Sequence, residues 1–583
     1  MPWRRPRHEL LLLVLVGIAA LLPLYGISAQ DQSRLCLTHA LLHGRLSSDE
    51  CLASSVDKAR YGDHLYSDKA PGLSALEVPA AAAVRLPAID HDGGRSTRVW
   101  AVRVLSSGLA FLLGALLVGR VAEGLAPGYG GRALVAYSLG MLVAPLAAAN
   151  FGHGTAGTIA LAAFLLAWRR RFLTAGLLGG AAVLVEYQAA AILVAVAIYA
   201  AFHGRRPAAA YVAGAVPAFA ILGAYDLLAF GSPWHLSYRY VVGSFAPDQA
   251  SGFFGIGSPR LDSFADVLVG NRGLLVVSPV VAAAAWGLVL LGRRHRAEAL
   301  VCGAVTVFFV VLNSSYFLPY GGGSPGPRFL VPALPFLALG LGPALARAPR
   351  TAGAVALASI IATVTLTLVW AANVHLRESV WGELARAVSN GRWSRLGRSA
   401  TETVVGDGWL VVIAAAAAVA VAFAPPPRRL VARVRRRPLV LAVCAAAAVA
   451  AAAGVIRLAT LPPDLRASIQ STASAALPGD EVDFAVTLDN RMQLGLRHVR
   501  LTVSLPPGMK LLGRPYFERG SGCIGTTRIS CNLDFLGPGM GTVVRLGVRV
   551  APTAARKLTV SAWGSTGRTT GPRAATSVVV GAA

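Results

Sequence analysis

Tyr66-Ser67-Asp68-Lys69-Ala70-Pro71-Gly72 lies within a polar segment, residues 30–97, that separates two strongly apolar runs. Apolar runs of this kind enter a bilayer, so the charges between them are held at a membrane surface. Ionisable side chains in such a place are costly and often functional. The segment is therefore our first candidate for the reaction centre of a membrane enzyme.

The composition indicates a protein that crosses the membrane many times. The chain has 583 residues, of which 55% are hydrophobic and 14% charged, which is too apolar for a soluble protein of this length. Its formal net charge is +26, but most basic residues form short clusters between apolar runs. Clusters in these positions set membrane topology, so we expect no nucleic-acid partner.

The apolar stretches predict the fold class: a polytopic α-helical membrane protein with about 13 transmembrane helices over residues 1–460. They are residues 10–29, 99–119, 133–150, 154–168, 172–186, 188–202, 208–230, 273–291, 298–317, 329–346, 352–373, 409–424 and 438–458. The first stretch also begins like a signal peptide, and Ile27-Ser28-Ala29 resembles a cleavage site. Because many further spans follow, we expect a retained first helix, with removal of a leader as the alternative.

Basic residues in the short connections predict the orientation. Clusters such as Arg169-Arg170-Arg171 and Arg205-Arg206 fall on one side of the predicted membrane, which places that side and the N-terminus in the cytoplasm. The opposite side receives the long polar segments: residues 30–97, 231–272, 318–328, 374–408 and the chain after about residue 460. The Ala-, Arg- and Gly-rich composition suggests a bacterial source, and hence the bacterial plasma membrane.

Residues 461–583 are predicted to form an extracytoplasmic all-β sandwich. Alternating stretches at Val482–Leu488, Val499–Leu505 and Val543–Val550 are separated by Pro-Gly turns. Leu505-Pro506-Pro507-Gly508-Met509 resembles a strand end in the repeat domains of bacterial surface proteins.

The cysteines bear on the compartment. Cys36 and Cys51 lie in the first polar segment, and Cys523 and Cys531 lie in the predicted β domain. If both regions are exported, two local disulfides form; in a reducing compartment all four are free thiols.

Carboxylates in the first polar segment are candidates for a general base. Asp31 follows the first apolar run, although in this position it is also a plausible helix N-cap. Asp57, Asp63 and Asp68 are further candidates, against the alternative that they are solvated loop charges. Lys69 is a candidate phosphate ligand, or a side chain that reaches towards lipid headgroups.

A second candidate site is the glycine-rich stretch from Tyr316 to Arg328, which brings one arginine to the mouth of the next helix. Arg328 has the geometry to bind a phosphate with two hydrogen bonds, or it contacts lipid headgroups beside a tight turn. His39 and His43 have the i, i+4 spacing of metal ligands, but no carboxylate completes the motif. We therefore predict no metal site from the residues.

The order of these parts resembles the multispanning GT-C glycosyltransferases, in particular the bacterial relatives of the protein O-mannosyltransferases and of the aminoarabinose transferase. Asp31-Gln32-Ser33-Arg34 is similar to the family's D-E-x-R stretch, and Tyr66–Pro71 to its Y-x-E-K-P-P stretch. Gly176–Gln188 and Gly326–Pro332 are similar to further parts, over roughly residues 1–350. Gln32, Asp68 and Ala70 depart from the family pattern.

The resemblance implies transfer of a sugar from a polyprenyl phosphate to an extracytoplasmic hydroxyl, with inversion at the anomeric carbon. The acceptor is a cell-envelope glycan, a lipid or a protein. Asp31 is then the general base, with Asp57, Asp63 and Asp68 in reserve, and Lys69, Arg328 and Arg34 bind the donor phosphate. Some superfamily members use a divalent metal, which the resemblance leaves open.

Two other functions fit the sequence. A transporter or flippase of lipid-linked sugars places ionisable residues within the membrane, and Glu186 comes nearest to that pattern. A non-catalytic envelope scaffold, with the β domain as its working part, is the alternative that the altered acidic motif favours.

Overall fold

The computed structural model describes residues 6–23, 27–87, 89, 97–147, 149–243, 245–322, 324–370, 381, 402–403, 406–407, 409–423, 464–491, 496–536, 540–566 and 569–581. These residues form two compact units, a helical one and a strand-rich one. The boundary predicted near residue 461 and the apolar stretch 438–458 lie outside the described residues.

Helices dominate the first unit because its apolar runs are rich in Ala and Leu, which favour helix. Its helices are α1 (Pro6–Leu21), α2 (Ala29–Leu42), α3 (Asp49–Leu52), α4 (Gly72–Ala83), α5 (Thr97–Arg103), α6 (Leu109–Leu125), α7 (Gly130–Gly140), α8 (Gly152–Trp168), α9 (Phe172–Val185), α10 (Ala190–Ala201), α11 (Arg205–Phe230), α12 (Ala246–Ala250), α13 (Leu261–Val269), α14 (Leu274–Val277), α15 (Val280–Leu291), α16 (Arg296–Ser315), α17 (Leu334–Leu337), α18 (Leu341–Arg347), α19 (Pro349–Trp370) and α20 (Trp409–Phe423).

Shorter helical turns join several of these helices. A π-helical turn at Val104–Gly108 links α5 to α6, and 3₁₀ turns lie at Ala144–Leu146, Tyr187–Ala189, Ser237–Tyr240, Arg328–Ala333 and Ala338–Gly340.

Membrane-spanning length is reached by five of the described helical segments: Thr97–Leu125, Arg205–Phe230, Arg296–Ser315, Arg328–Arg347 and Pro349–Leu368. A sixth candidate is the pair Leu261–Val277 and Val280–Leu291, which is bent by 90° at its break. Six more described helices are apolar but only 10–17 residues long. The unit is thus a multi-pass helical membrane structure, and the predicted count of about 13 is not confirmed.

Two predicted spans are interrupted by residues that end helices. The first apolar stretch divides because α1 ends at Leu21, shortly before Pro23, and α2 begins separately at Ala29. The stretch 133–150 divides at Gly140, where α7 ends. Apolar composition alone does not reveal these breaks, so the sequence overestimates helix length here.

The first polar segment folds as a small layer of its own. Helix α2 packs against α4, and a hairpin of β1 (Ala59–Tyr61) and β2 (His64–Tyr66) lies between them in the chain, with Tyr61 opposite His64. A disulfide joins Cys36 to Cys51. A Cβ at Gly72 would lie 2.5 Å from the carbonyl of Leu184, so only glycine allows α4 to begin this close to α9.

The second unit is a β-sandwich built from strands. The first unit also contains two short strands, β3 (Glu402–Thr403) and β4 (Gly406–Asp407). The sandwich contains β5 (Leu465–Ser471), β6 (Ala475–Ala476), β7 (Glu481–Asn490), β8 (Leu496–Ser504), β9 (Met509–Phe517), β10 (Gly522–Ile524), β11 (Arg528–Leu536), β12 (Gly541–Val550), β13 (Lys557–Thr566), β14 (Thr569–Thr570) and β15 (Ala574–Val580).

Two sheets of the sandwich enclose one apolar core. One has the order β5-β7-β12-β9, and the other has the order β10-β11-β8-β13-β15-β6, with β14 paired to β13. Alternate residues of β7 and β12 are buried, as the period-2 pattern predicts. Gly479 and Gly508 of the predicted Pro-Gly turns have φ of 95° and 94°. A disulfide joins Cys523 to Cys531 across β10 and β11.

Candidate active site

A cavity of about 290 Å³ lies in the helical unit, beside the first polar segment. It is lined by residues from four separated parts of the chain: Ser28–Gln30, Val56, Asp57, Asp68 and Lys69; Phe151, His153 and Glu186; Tyr238, Val241, Phe245 and Gln249; and Tyr316–Leu318, Gly321, Gly322, Arg328 and Phe329. Charged groups and aromatic rings therefore line the same cavity, a composition that is typical of ligand-binding sites.

Lys69 lies between two carboxylates in this cavity. Its Nζ is 2.6 Å from Asp68 Oδ2 and 3.2 Å from Asp57 Oδ2. Burial would lower the pKa of Lys69, but the charges of Asp57 and Asp68 reverse this and hold it above its usual value. Burial raises the pKa of Asp68, and Lys69 offsets only part of that effect. Lys69 is therefore a fixed cation, with Asp57 as the more exposed of its partners.

Asp68 is anchored from the other side, which fixes the whole Tyr66–Gly72 loop. Ser33 Oγ donates to Asp68 Oδ1 at 2.9 Å, and Ser237 Oγ donates to the Asp68 carbonyl at 2.9 Å. The first polar segment and the segment around Ser237 are thus tied together at the cavity. Lys69 gains a defined position from these bonds.

Arg328 enters the same cavity from the glycine-rich stretch. Its guanidinium carbon lies 5.3 Å from the ring centre of Phe151 and 5.2 Å from that of Phe329. Its Nε is buried and has no hydrogen-bond partner among the residues that the structure describes. Gly321 has φ of 73°, and a Cβ there would lie 2.6 Å from that Nε. Arg328 is thus a positioned cation with capacity to bind an anion.

Glu186 is the centre of a further charged group in the cavity wall. The helix α9 ends at Val185, and the extended backbone at Glu186 turns its carboxylate inward. Oε1 lies 2.5 Å from Arg34 Nη2 and 3.0 Å from His153 Nδ1. His153 stacks on Phe329 with ring centres 5.3 Å apart, and its Nε2 has no hydrogen-bond partner in the described part of the chain.

Asp31 lies beside the cavity but is not among its lining residues. Ser28 caps α2, and the backbone N–H of Ser28 donates to Asp31 Oδ2 at 2.9 Å. Oδ1 lies 2.7 Å from Arg103 Nη2 and accepts from the Asn150 N–H at 2.9 Å. Both carboxylate oxygens are engaged. The alternative that Asp31 is the N-cap is wrong in detail, because Ser28 is the N-cap of α2 and Asp31 is the N3 residue of the capping box. Its assignment as the base stays a prediction.

The remaining predicted residues divide between the cavity and the surface. Asp57, Asp68, Lys69 and Arg328 line the cavity. Arg34 is not among the lining residues and forms an ion pair with Glu186, which is. Asp63 is exposed in the turn between β1 and β2 and does not line the cavity. The described residues contain no cluster of three or more His, Cys, Asp or Glu that could hold a metal ion.

Glu77 is a buried carboxylate next to this network that the sequence did not single out. Thr38 Oγ1 donates to its Oε2 at 2.7 Å, and Asn150 Nδ2 donates at 3.3 Å. Burial raises its pKa from 4.5 to about 7, although Thr38 and Asn150 oppose that rise. The signal in the sequence was one Glu in the apolar helix α4.

We expect Glu77 to make the folded protein less stable at alkaline than at acidic pH. Because its folded pKa is above its ordinary value, the folded state holds a proton that the unfolded chain releases from about pH 4.5. This contribution, on the order of 3 kcal/mol, is complete below that pH and lost as the pH rises through about 7. Thermal unfolding of the detergent-solubilised protein at pH 5 and pH 8 measures it.

Glu77→Gln is expected to reduce the difference between the two unfolding temperatures, since the amide cannot ionise but still accepts from Thr38. Glu50→Gln is the control, because Glu50 is exposed in α3. A Glu77→Gln variant with the same pH dependence as wild type would contradict this assignment.

The helical unit and its charged cavity define a multi-pass membrane protein with a buried polar site. No family model matches the chain, and no curated protein is similar to it in sequence. Among solved structures, ArnT from Cupriavidus metallidurans in the apo state is similar over 70% of this chain and 74% of its own, with 17% identity and a TM-score of 0.39. This similarity agrees with the resemblance predicted from the sequence.

Two further solved structures are similar over 21% of the chain. One is AvmM, described as catalysing macrocyclization in alchivemycin A biosynthesis, with 12% identity, 90% coverage of its own length and a TM-score of 0.17. The other is the CARDB domain of a Pyrococcus furiosus protein in complex with di-metal ions, with 16% identity, 94% coverage and a TM-score of 0.15.

Proposed function

We propose that the protein is an integral membrane glycosyltransferase. It transfers a sugar from a polyprenyl-phosphate donor to a hydroxyl of an extracytoplasmic glycan, lipid or protein, with inversion at the anomeric carbon. The observation that carries this proposal is that Lys69 and Arg328, from distant parts of the chain, line one cavity together with Asp57. We place the protein in the bacterial plasma membrane, with its N-terminus in the cytoplasm and its β domain outside.

The two cations suit the phosphate of the donor. Arg328 has spare donor capacity and is held on two aromatic rings, so it binds phosphate with little loss of side-chain freedom. Lys69 contributes a fixed charge, because its carboxylate partners keep it protonated. Negative charge grows on the phosphate as the sugar departs, and preplaced cations stabilise that charge in a poorly solvated site.

Asp57 is the base that this geometry favours. It lines the cavity, its side chain is 17% exposed, and Lys69 is its ion-pair partner. Asp57 accepts the proton of the acceptor hydroxyl as the oxygen bonds to the anomeric carbon. The bond from that carbon to the phosphate oxygen breaks, and its electron pair leaves with the polyprenyl phosphate.

Aromatic walls suit the sugar itself. Tyr238, Phe245, Tyr316 and Phe317 line the cavity on the side contributed by the later external segments. Flat aromatic faces pack against the C–H faces of a sugar ring and exclude water from it. The chain's own residues thus supply candidate contacts for the donor phosphate, the base and the sugar.

Gly321→Ala is expected to weaken donor use by about 10- to 100-fold, because the added Cβ displaces Arg328 from the cavity. Gly322→Ala is the matched control: Gly322 also has a positive φ, of 92°, but a Cβ there meets no atom of the described residues within 4 Å. The measurement is the KM for labelled polyprenyl-phosphate sugar in proteoliposomes. Equal KM values for the two variants would contradict the phosphate role of Arg328.

A transporter or flippase of lipid-linked sugars is the second candidate, and Asp226 favours it. Asp226 is fully buried on the spanning helix α11, and neither carboxylate oxygen has a hydrogen-bond partner within the described residues. Buried carboxylates in membrane helices often belong to transport pathways. Movement of a labelled lipid across vesicles without release of its sugar would support this candidate over the transferase.

A further inference from the structure

The two outer faces of the β-sandwich differ in charge. On the sheet β5-β7-β12-β9, acidic and basic side chains are mixed: Arg549 is paired in register with Glu481, and their side chains form an ion pair of 2.5 Å. Asp483 and Asp489 lie on the same face of β7, two and eight residues from Glu481. This face carries both signs of charge.

The outer face of the other sheet presents several cations, and we call the surface formed by Arg500, Arg528, Lys557 and Arg573 the basic face. Its strands place Arg528 of β11 beside Ser504 of β8, and Arg500 of β8 beside Asn532 of β11. Ser561, Trp563 and Ser565 of β13 continue these rows, and Lys557 lies beside Val579 at the far side. These paired rows hold no Asp or Glu, and one acidic residue, Asp534 of β11, follows in the next row, where it is paired with Val499.

Two of the cations on this face are ordered by an aromatic ring. The guanidinium carbons of Arg528 and Arg573 lie 5.4 Å and 4.4 Å from the ring centre of Trp563. The two arginines cover the ring, which is only 8% exposed. Stacking on the indole restricts both side chains before any ligand arrives, so less entropy is lost on binding.

We propose that the basic face binds an anionic glycan, a polysaccharide that bears carboxylate or phosphate groups. This inference is independent of the proposed transferase activity. The row of Arg500 and the row of Arg528 are four residues apart along the strands, or about 13 Å. Cations at that separation suit a polymer with several anionic groups better than a single small anion.

The side chains between the cations favour a glycan over a membrane surface. Ser504, Ser530, Ser561 and Ser565 supply hydroxyls that exchange hydrogen bonds with sugar hydroxyls. A face that enters a membrane interface presents large apolar residues at its centre. Here the large exposed apolar side chains, Ile524 and Val579, lie on the edge strand β10 and on β15, next to the edge strand β6, and not among the arginines.

The test uses the full chain in phosphatidylcholine nanodiscs, with polygalacturonate as the anionic glycan and dextran of similar length as the neutral one. We expect wild type to bind polygalacturonate, with affinity that falls at higher ionic strength, and not dextran. The double variant Arg528→Gln/Arg573→Gln should bind at least tenfold more weakly. Arg500→Gln, which does not involve Trp563, is the second variant and should weaken binding as well.

Arg545→Gln on β12 is the matched control, because Arg545 is exposed on the opposite sheet and paired in register with Ala485. It should leave affinity unchanged. The proposal would be overturned if wild type bound dextran as tightly as polygalacturonate, or did not bind polygalacturonate at all. It would also be overturned if Arg545→Gln lost as much affinity as the basic-face variants. Binding to phosphatidylglycerol vesicles in preference to polygalacturonate would also overturn it, in favour of a membrane-binding face.

Discussion

Lys69→Gln is expected to lower kcat for sugar transfer by about 100- to 1,000-fold, which is the usual cost of removing one preplaced stabiliser of a developing charge. The glutamine keeps a hydrogen-bond donor for Asp68 but removes the cation that is paired with Asp57 in the cavity. Since the charge on phosphate grows during the reaction, kcat should fall more than donor affinity. Single-turnover release of polyprenyl phosphate measures the effect.

Lys58→Ala is the matched control for this change. Lys58 is adjacent to Asp57 in sequence but donates to the Ala53 carbonyl and does not line the cavity. Its replacement should leave kcat close to wild type. A loss of the same size in both variants would show that general charge in the segment, and not the position of Lys69, affects turnover.

Asp57→Asn is expected to lower kcat by about 100- to 10,000-fold, the range that a general base contributes. The amide fills the same space and still lies beside Lys69, but it cannot accept the proton of the acceptor hydroxyl. Donor binding should change little, because the phosphate ligands remain. Pre-steady-state kinetics with a saturating donor separates binding from transfer.

Asp63→Asn and Asp31→Asn decide whether this loss is specific to Asp57. Asp63 is exposed outside the cavity, so its variant should be active. Asp31→Asn should lower stability, since Arg103 loses a buried ionic partner. If properly folded Asp31→Asn loses transfer completely while Asp57→Asn retains it, the base is Asp31, as the family resemblance implies.

Local patterns in the sequence predicted much of the fold. The period-2 alternation after residue 464 identified β7, β8 and β12 because buried and exposed residues alternate in any half-buried strand. The helical unit was predicted from its apolar runs. The number of helices is harder to predict, because Gly140 and Pro23 interrupt stretches whose composition alone suggests continuous spans.

The cavity residues that the sequence singles out are mostly ones that lie close together in the chain. Asp57, Asp68 and Lys69 lie in one polar segment, so charge and the neighbouring apolar runs were enough to select them. Arg328 stands out because the glycine-rich stretch before it permits close backbone approach and its guanidinium suits a phosphate. The sequence does not distinguish a catalytic from a structural Asp31, since an Asp near a helix start also serves as the N3 partner in a capping box.

The rest of the site depends on long-range packing. His153 and Glu186 come from the start of α8 and the end of α9, and only the folded chain brings them to Arg34. In the sequence, His153 is a single polar residue among apolar ones. Glu77 likewise gains its environment from α2 and from Asn150, which no local pattern connects to α4.

The most direct test of the account is turnover of labelled polyprenyl-phosphate sugars, with mannosyl, arabinosyl and glucosyl donors, in membranes that also supply acceptor. We predict that wild type releases polyprenyl phosphate from at least one donor, and that Lys69→Gln and Asp57→Asn release it at least 100-fold more slowly. Release at the wild-type rate by both variants, or no release from any donor by wild type, would contradict a transferase site in this cavity.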